Sequence, residues 1–331
     1  MKITSPYPLE EDKILEIELR PKRLKEFIGQ DRIKENIEVF IKSAKKRKGL
    51  LDHILLSGPP GLGKTTLAHC ISNEMGTEII ATSGPVIEKP FDLAGILTKL
   101  KPMSILFIDE IHRLPKNVEE YLYSAMENYE IDLMVDKGPG AKSIKFKLSP
   151  FTLIGATTRT GLLTGPLRSR FGIQIRIDYY SVSEINKIIE RSAKILKIET
   201  SKEGINEIAK RSRGTPRIAN RLLKRVRDFA IVKGRGIIDE EIAKYALSKM
   251  EVDEYGLDEM DKKIVETIYY KFHNRPVGLK TLASALDEDE GTIEEVYEPY
   301  LIREGFIEKT ARGRVLTKKS IELFFKEKKL F

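Results

Sequence analysis

Gly58-Pro59-Pro60-Gly61-Leu62-Gly63-Lys64-Thr65-Thr66 fits the spacing G-x-x-x-x-G-K-[ST]. An apolar run, His53-Ile54-Leu55-Leu56, precedes it and reads as a buried strand; a helix-compatible segment over residues 65–75 follows. Strand, glycine loop and helix in that order form a phosphate-binding loop. Glycines let successive backbone N–H groups point into a concave nest, and the helix N-terminus adds about half a positive charge. Lys64 then reaches the β/γ-phosphates of a nucleotide, and the Thr65 hydroxyl is a ligand for Mg²⁺. The competing reading is a Gly/Pro-rich turn beside a lysine, but both flanks argue for the nucleotide site.

Moving outward, residues 30–43 carry apolar positions at helical spacing (Ile33, Ile37, Phe40, Ile41). Residues 78–82, 104–108, 151–156 and 173–177 read as further strands, and 117–128 as a helix. Alternation of strands and helices predicts an α/β fold with a parallel sheet covered on both faces. Two alternating runs, 131–135 and 144–148, flank Asp136-Lys137-Gly138-Pro139-Gly140-Ala141-Lys142-Ser143 and predict a protruding hairpin. From residue 183 the pattern is helix after helix: 183–197, 202–212, 216–233 and 239–250. Residues 251–258 are acidic, contain Gly256, lack an apolar period and read as a linker. Helices at 259–272, 279–286 and 292–304 then precede strands at 306–310 and 314–317, a winged-helix pattern. The expected domains are 1–181 (large, sheet-containing), 182–252 (small, all-helical) and 255–331 (winged helix).

The chain has 331 residues, 41% hydrophobic and 33% charged. Its apolar runs fall short of the ~18 residues a membrane span needs. Residues 1–11 hold prolines and acids rather than an apolar signal core, so the expected compartment is the cytoplasm. Cys70 is the sole cysteine, which excludes an intrachain disulfide and a cysteine zinc cluster. The net charge of +8 permits nucleic-acid binding without establishing it. Basic residues cluster at 42–48, 211–227 and 309–319, whereas 287–295 is acidic.

Several residues carry candidate chemistry. Asp109 and Glu110 end an apolar strand beside the phosphate loop, where open α/β sheets bind ligands. Asp109 is placed to hold the Mg²⁺ shell and Glu110 to activate a water; two solvated acids are the alternative. His112 has no second His or Cys at ligand spacing, so it reads as structural or coupling. Gly155-Ala156-Thr157-Thr158-Arg159 ends the fourth strand; Thr158 is the side chain chosen to touch the γ-phosphate or water, against a merely Thr-rich strand end. Arg168 and Arg170 precede the fifth strand and are either surface charges or a finger acting across a subunit interface. Thr215 and Pro216 cap and open a helix whose Arg217 either points at the nucleotide or lies on the surface. On the wing, Lys309, Arg312, Arg314, Lys318 and Lys319 form either a phosphate-contacting or a solvated basic face. Glu294, Glu295, Glu298 and Glu304 on the preceding helix argue against base reading by that helix.

Taken together, the chain resembles the RuvB family of Holliday junction branch-migration ATPases within the AAA+ superfamily. The resemblance runs nearly end to end. It includes Leu19-Arg20-Pro21, Phe27-Ile28-Gly29-Gln30, Leu51-Asp52-His53 and Arg213-Gly214-Thr215-Pro216-Arg217, with Val296-Tyr297-Glu298-Pro299-Tyr300-Leu301 and Thr310-Ala311-Arg312-Gly313-Arg314. It implies an ATP- and Mg²⁺-dependent hydrolase, with Lys64 and Thr65 as Walker A, Asp109 and Glu110 as Walker B, Thr158 as sensor 1, Arg170 as arginine finger and Arg217 as sensor 2. It further implies that Leu19, Arg20, Gly61, Gly63, Thr66 and Tyr180 hold the nucleotide, with Glu127, Asn128 and Tyr129 near the same site. Lys309, Arg312 and Arg314 match the DNA contacts. Lys309 stands where the family usually has arginine, and Ala311 where it has proline, so Lys309 keeps a charge but loses a bidentate fork. The implied assembly is a homo-hexamer on duplex DNA at a Holliday junction, bound to RuvA through the hairpin 131–148 and to RuvC in a larger complex. The implied processes are homologous recombination, DNA repair and the SOS response to DNA damage. In this picture hydrolysis alters the angle between large and small domains. The rival readings are an origin-binding initiator with a winged helix, which reads DNA sequence, and a clamp-loader subunit, which lacks a basic wing.

Overall fold

The computed structural model describes residues 3–134 and 143–325. They form two compact units, Glu16–Tyr180 and Met1–Leu15 with Ser181–Phe331.

In the first unit the strands β1 (Ile54–Ser57), β2 (Ile79–Ser83), β3 (Ile105–Asp109), β6 (Thr152–Thr157) and β7 (Ile173–Arg176) form one sheet in the order β2-β3-β6-β1-β7, parallel throughout. β6 is central and wholly buried, whereas the edge strand β7 alternates buried and exposed residues. Alternate strand residues serve two cores. Leu55, Leu106, Ile108 and Leu153 join Leu93, Leu97, Val118 and Leu122 in one cluster. Leu67, Ala68 and Ile71, on the helix Lys64–Met75, are buried outside that cluster, and this helix packs on β3 and β6. Helices therefore cover both faces, as the strand–helix alternation predicts. β4 (Glu130–Met134) and β5 (Ser143–Lys147) pair antiparallel, with Ile131 opposite Phe146 and Leu133 opposite Ile144. Ile131 and Leu133 enter the core, while Ile144 and Phe146 remain exposed. The predicted hairpin tip, residues 135–142, lies outside the described residues.

The second unit begins with the helices Val182–Leu196, Lys202–Arg211, Pro216–Lys233 and Glu240–Lys249. Ser181 and Glu184 form a capping box at the first of these, and Asp239 caps the last. A short parallel pairing of Glu199–Thr200 with Ile237–Ile238, invisible in the apolar pattern, ties the helices together. The winged-helix elements follow: Glu259–Glu266, Leu279–Leu286, Glu298–Arg303 and the antiparallel strands Ile307–Thr310 and Gly313–Leu316. Wider π-helical turns at Thr267–Lys271 and Ile293–Tyr297 interrupt two helices that the sequence pattern treats as continuous.

Residues 251–258, read from sequence as a linker, are closely packed: Val252 and Leu257 are buried. Arg211 Nε donates to the Asp253 carbonyl at 2.9 Å and Arg213 Nε to the Gly256 carbonyl at 2.8 Å. Two apolar residues five apart leave no period to detect, and the donors come from more than forty residues away. Among the described residues no helix is long and apolar enough to cross a membrane.

Candidate active site

The phosphate loop leaves β1 through Gly58, whose φ is +136°; a Cβ there would meet the Ile177 carbonyl oxygen at 2.2 Å, so only glycine fits. Gly63 turns the chain into the helix Lys64–Met75 with φ +96°. That helix start has no side-chain cap and no acid in its first turn, so its N–H groups and dipole are offered to an external anion. Lys64 is 7% exposed, and its Nζ donates to the carbonyls of Gly58 and Pro59 at 2.8 and 2.9 Å. The lysine is thus held across the loop.

Sheet register brings the remaining residues to the same edge. β6 lies between β1 and β3, with Ser57 opposite Thr157 and Ile108 opposite Gly155. The ends of all three strands therefore converge. Thr65 Oγ1 donates to Asp109 Oδ2 at 3.3 Å, and Asp109 Oδ1 accepts the Glu110 N–H at 2.9 Å. Thr158 Oγ1 donates to Glu110 Oε2 at 3.1 Å. His112 Nδ1 lies 3.0 Å from Thr157 Oγ1 and 3.2 Å from Glu110 Oε2. Lys64, Thr65, Asp109, Glu110 and Thr158 thus form one constellation built from three strand ends. Chemically it offers a cation, two oxygens spaced for a shared cation and a carboxylate steered by a hydroxyl.

Beside the loop, Tyr180 Oη donates to the Leu62 carbonyl at 3.1 Å, and a Cβ on Gly63 would touch the Phe27 ring at 3.4 Å. Leu19 is buried, and Arg20 keeps a buried Nε with no hydrogen-bond partner. Burial, then the nearby Arg20 charge, lowers the pKa of His69. An orphaned donor and an open helix start fit a polyanionic ligand.

Arg170 belongs to a different group of side chains. Thr164 caps the short helix Gly165–Ser169 that delivers it. Its Nη1 donates to the Pro166 carbonyl at 2.7 Å, its Nη2 pairs with Glu127 at 3.0 Å, and the guanidinium lies 4.5 Å from the Tyr123 ring centroid. Glu127 and Asn128 are exposed; Tyr129 ends their helix and packs edge-on against Phe151. Glu127 is therefore brought to Arg170. Tyr123 and Thr164 were missed from sequence because nothing local marks a residue that lies under a guanidinium or caps its helix.

In the other unit, Arg217 Nη1 donates to the Pro6 carbonyl at 2.8 Å. Thr215 occupies the cap position of its helix, but its hydroxyl donates to the Arg213 carbonyl rather than capping an N–H.

The wing residues separate sharply. Arg314 is not a surface cation: it is 7% exposed, and its Nε and Nη2 form a fork on the two carboxylate oxygens of Glu298. The wing strand turns its guanidinium inward onto Glu298. Lys309 is exposed and 3.4 Å from Glu294, and Arg312 is exposed at the turn. Glu295 accepts from Tyr7 Oη at 2.8 Å and Glu304 from Arg303 Nε at 2.9 Å, so all four acids noted on this helix have side-chain partners.

With this geometry in place, comparison with known proteins decides the family. The family models described as the Holliday junction DNA helicase RuvB P-loop domain, the RuvB AAA lid domain and the RuvB C-terminal winged helix domain match residues 19–177, 180–253 and 254–325. The chain belongs to the RuvB family. It is 58% identical over 310 residues to the Holliday junction branch migration complex subunit RuvB of Bdellovibrio bacteriovorus, covering 94% of each chain. The Salinibacter ruber subunit is 58% identical over 313 residues, covering 95% of this chain and 91% of the relative. Among solved structures, the Thermotoga maritima RuvB Holliday junction branch migration motor superposes with a TM-score of 0.82 at 49% identity, covering 92% of this chain and 97% of that one. A variant of that RuvB gives a TM-score of 0.84 over the same shares of both chains, at 49% identity. RuvB membership makes the phosphate loop a nucleotide-binding element of an AAA+ ATPase.

Proposed function

We propose that this RuvB-family chain is the motor subunit that drives branch migration of Holliday junctions, coupling ATP hydrolysis to movement of duplex DNA during recombination and repair. The observation that carries the reading is the meeting of Lys64, Thr65, Asp109, Glu110 and Thr158 at one sheet edge, in a chain matched by RuvB models from residue 19 to 325. Leu19, Arg20, Gly61, Gly63, Thr66 and Tyr180 hold the nucleotide, and Lys64 leaves the Gly58 and Pro59 carbonyls for its β/γ-phosphates. Thr65 Oγ1 and Asp109 Oδ2 are the oxygens that would hold Mg²⁺, whose charge offsets that of the phosphates. Glu110 takes the proton of the attacking water, and Thr158 orients Glu110.

Arg170 serves the neighbouring subunit of a homo-hexamer: its contacts are to Pro166, Glu127 and Tyr123, none of them in the phosphate loop. Glu127, Asn128 and Tyr129 act from that same face, and Arg217 senses nucleotide from the helical domain, 182–252. The hairpin 131–148 docks on RuvA through an apolar face that includes the exposed Ile144 and Phe146. Lys309 and Arg312, on the winged-helix domain 255–331, contact DNA phosphates. RuvC joins the larger complex, which works in the cytoplasm and serves the SOS response. RuvB membership disfavours the initiator and clamp-loader readings.

The deciding experiment follows a four-way junction with RuvA, ATP and Mg²⁺ present. RuvA-dependent strand exchange is expected, abolished by Lys64→Ala or Glu110→Gln. Tight binding to one DNA sequence without junction migration would refute the motor reading. For Arg170→Ala, nucleotide binding survives while hydrolysis falls, on the order of 10³-fold. Wild-type subunits should partly rescue it in mixed rings; normal hydrolysis by the mutant alone would exclude a role in trans.

A further inference from the structure

The imidazole of His112 has no role in the chemistry described so far, yet its Nδ1 faces the site. It is 3.0 Å from Thr157 Oγ1 and 3.2 Å from Glu110 Oε2, with the side chain 7% exposed. Burial lowers the pKa of this ring against the upward pull of Glu110, so it carries a single N–H near neutral pH. A lone pair on Nδ1 would repel the adjacent carboxylate oxygen, so the proton sits on Nδ1 and Nε2 is bare. Thr157 Oγ1 also accepts the Arg159 N–H at 3.0 Å, which holds that hydroxyl oxygen towards the ring.

Two polar groups consequently flank one oxygen of Glu110: Thr158 Oγ1 donates to it at 3.1 Å, and His112 Nδ1 stands 3.2 Å away. The terminal torsion of a glutamate is broad and roughly two-fold, so a single hydrogen bond leaves the carboxylate free to rotate about it. A buried imidazole nitrogen against the same oxygen narrows that freedom. Thr157 is in turn tied to the phosphate loop, because its carbonyl accepts the Gly58 N–H at 3.2 Å. We propose that His112 is a positioning residue for hydrolysis: it fixes Glu110 through Oε2, leaves Oε1 to accept the proton of water, and ties that orientation to the strand end beside the phosphate loop. This inference rests on the reading of Glu110 as the water-activating carboxylate.

The test compares His112→Asn, His112→Gln, His112→Phe and Glu110→Gln in the full-length protein. Steady-state ATP hydrolysis and affinity for a fluorescent ATP analogue are measured for each. An asparagine amide puts a donor where Nδ1 stands; a glutamine amide puts it where Nε2 stands. His112→Phe and His112→Gln should each lower kcat about 10- to 100-fold, with KM and analogue affinity within about twofold of wild type. His112→Asn should restore kcat to within about threefold of wild type. If His112→Phe folds poorly, the difference between the asparagine and glutamine variants decides alone. Equal kcat in those two variants, or a fall in affinity rather than kcat, overturns the proposal. If Glu110→Gln is inactive while the His112 variants hydrolyse normally, the positioning role fails and the reading of Glu110 stands. If Glu110→Gln hydrolyses ATP normally, the reading of Glu110 itself fails.

Discussion

In the unit Glu16–Tyr180, charged side chains meet at an open sheet edge: Glu110 is 29% exposed, and Thr65 faces Asp109 across 3.3 Å. In the other unit, residues of the same chemical kind are sealed away. Arg221 is 1% exposed; it donates to the carbonyls of Ile3, Ser5 and Tyr7 and pairs with Asp12 at 2.5 Å. Arg211 pairs with Glu207, Arg213 with Asp258 and Asp261, and Arg314 with Glu298. A charge at an open edge remains available to substrate, whereas a charge taken out of water must find its partners inside the fold. Basic residues at 211–227, which in a string of letters look like a nucleic-acid patch, are in good part internal ties.

The contrast is testable first by activity and stability together. Glu110→Gln should lower the hydrolysis rate by about 10²- to 10⁴-fold and leave thermal stability unchanged. Arg221→Met should do the reverse to the second unit, costing about 3–5 kcal/mol because Asp12 is left buried without its partner. Urea unfolding measures the loss, and the double variant Arg221→Met/Asp12→Leu should recover most of it. Normal stability in Arg221→Met would mean the buried arginines are not structural.

The wing gives a sharper version on neighbouring residues. Arg312→Gln should weaken duplex binding and reduce the slope of log affinity against log salt by about 1, without loss of stability. Arg314→Gln should destabilise by about 3 kcal/mol, since Glu298 is buried beside it, and should leave the salt slope intact. Exchanged phenotypes would restore Arg314 as a DNA contact.

The smallest effects are those of pH, and they have opposite signs in the two units. His53 is held neutral: its Nδ1 accepts the Leu153 N–H at 2.9 Å and its Nε2 lies 3.1 Å from the Met126 carbonyl. Burial lowers its pKa from 6.5, so its contribution is whole above pH 6.5 and is lost as pH falls below that value. For Asp261, burial raises the pKa from 3.8 to about 7, with the neighbouring Asp258 adding to the rise and Arg213 opposing it. Its contribution is whole below pH 3.8 and is lost as pH rises through 7. Acidification from pH 7 to 5 should therefore loosen the sheet around β6 and tighten the start of the helix Glu259–Glu266. Amide exchange, corrected for its intrinsic pH dependence, reads both, and Asp261→Asn should abolish only the second change.

Much of this architecture is legible in the sequence. The loop at residues 58–66, the acids ending β3 and Thr158 ending β6 are local signals, since each depends on a strand and the few residues after it. The helix Pro216–Lys233 and the helix Leu279–Leu286 begin and end where apolar spacing and terminating residues place them. What stayed hidden are pairings across long separations. Arg221 meets Asp12 from 209 residues away, Arg213 meets Asp261 from 48, and His112 meets Thr157 from 45. The inward turn of Arg314 was hidden in the same way, since burial there depends on Glu298 packing behind the wing.

The sequence by itself determined a nucleotide-binding α/β unit, a helical unit with a winged helix, and the short motifs that carry the chemistry, because period and turn chemistry act over a few residues. Only the tertiary structure decided which charges are solvated and which are buried. It also decided which of two neighbouring wing arginines faces outward and which imidazole lies against Glu110. Burial is a property of the whole packed chain, and no local run of residues carries it.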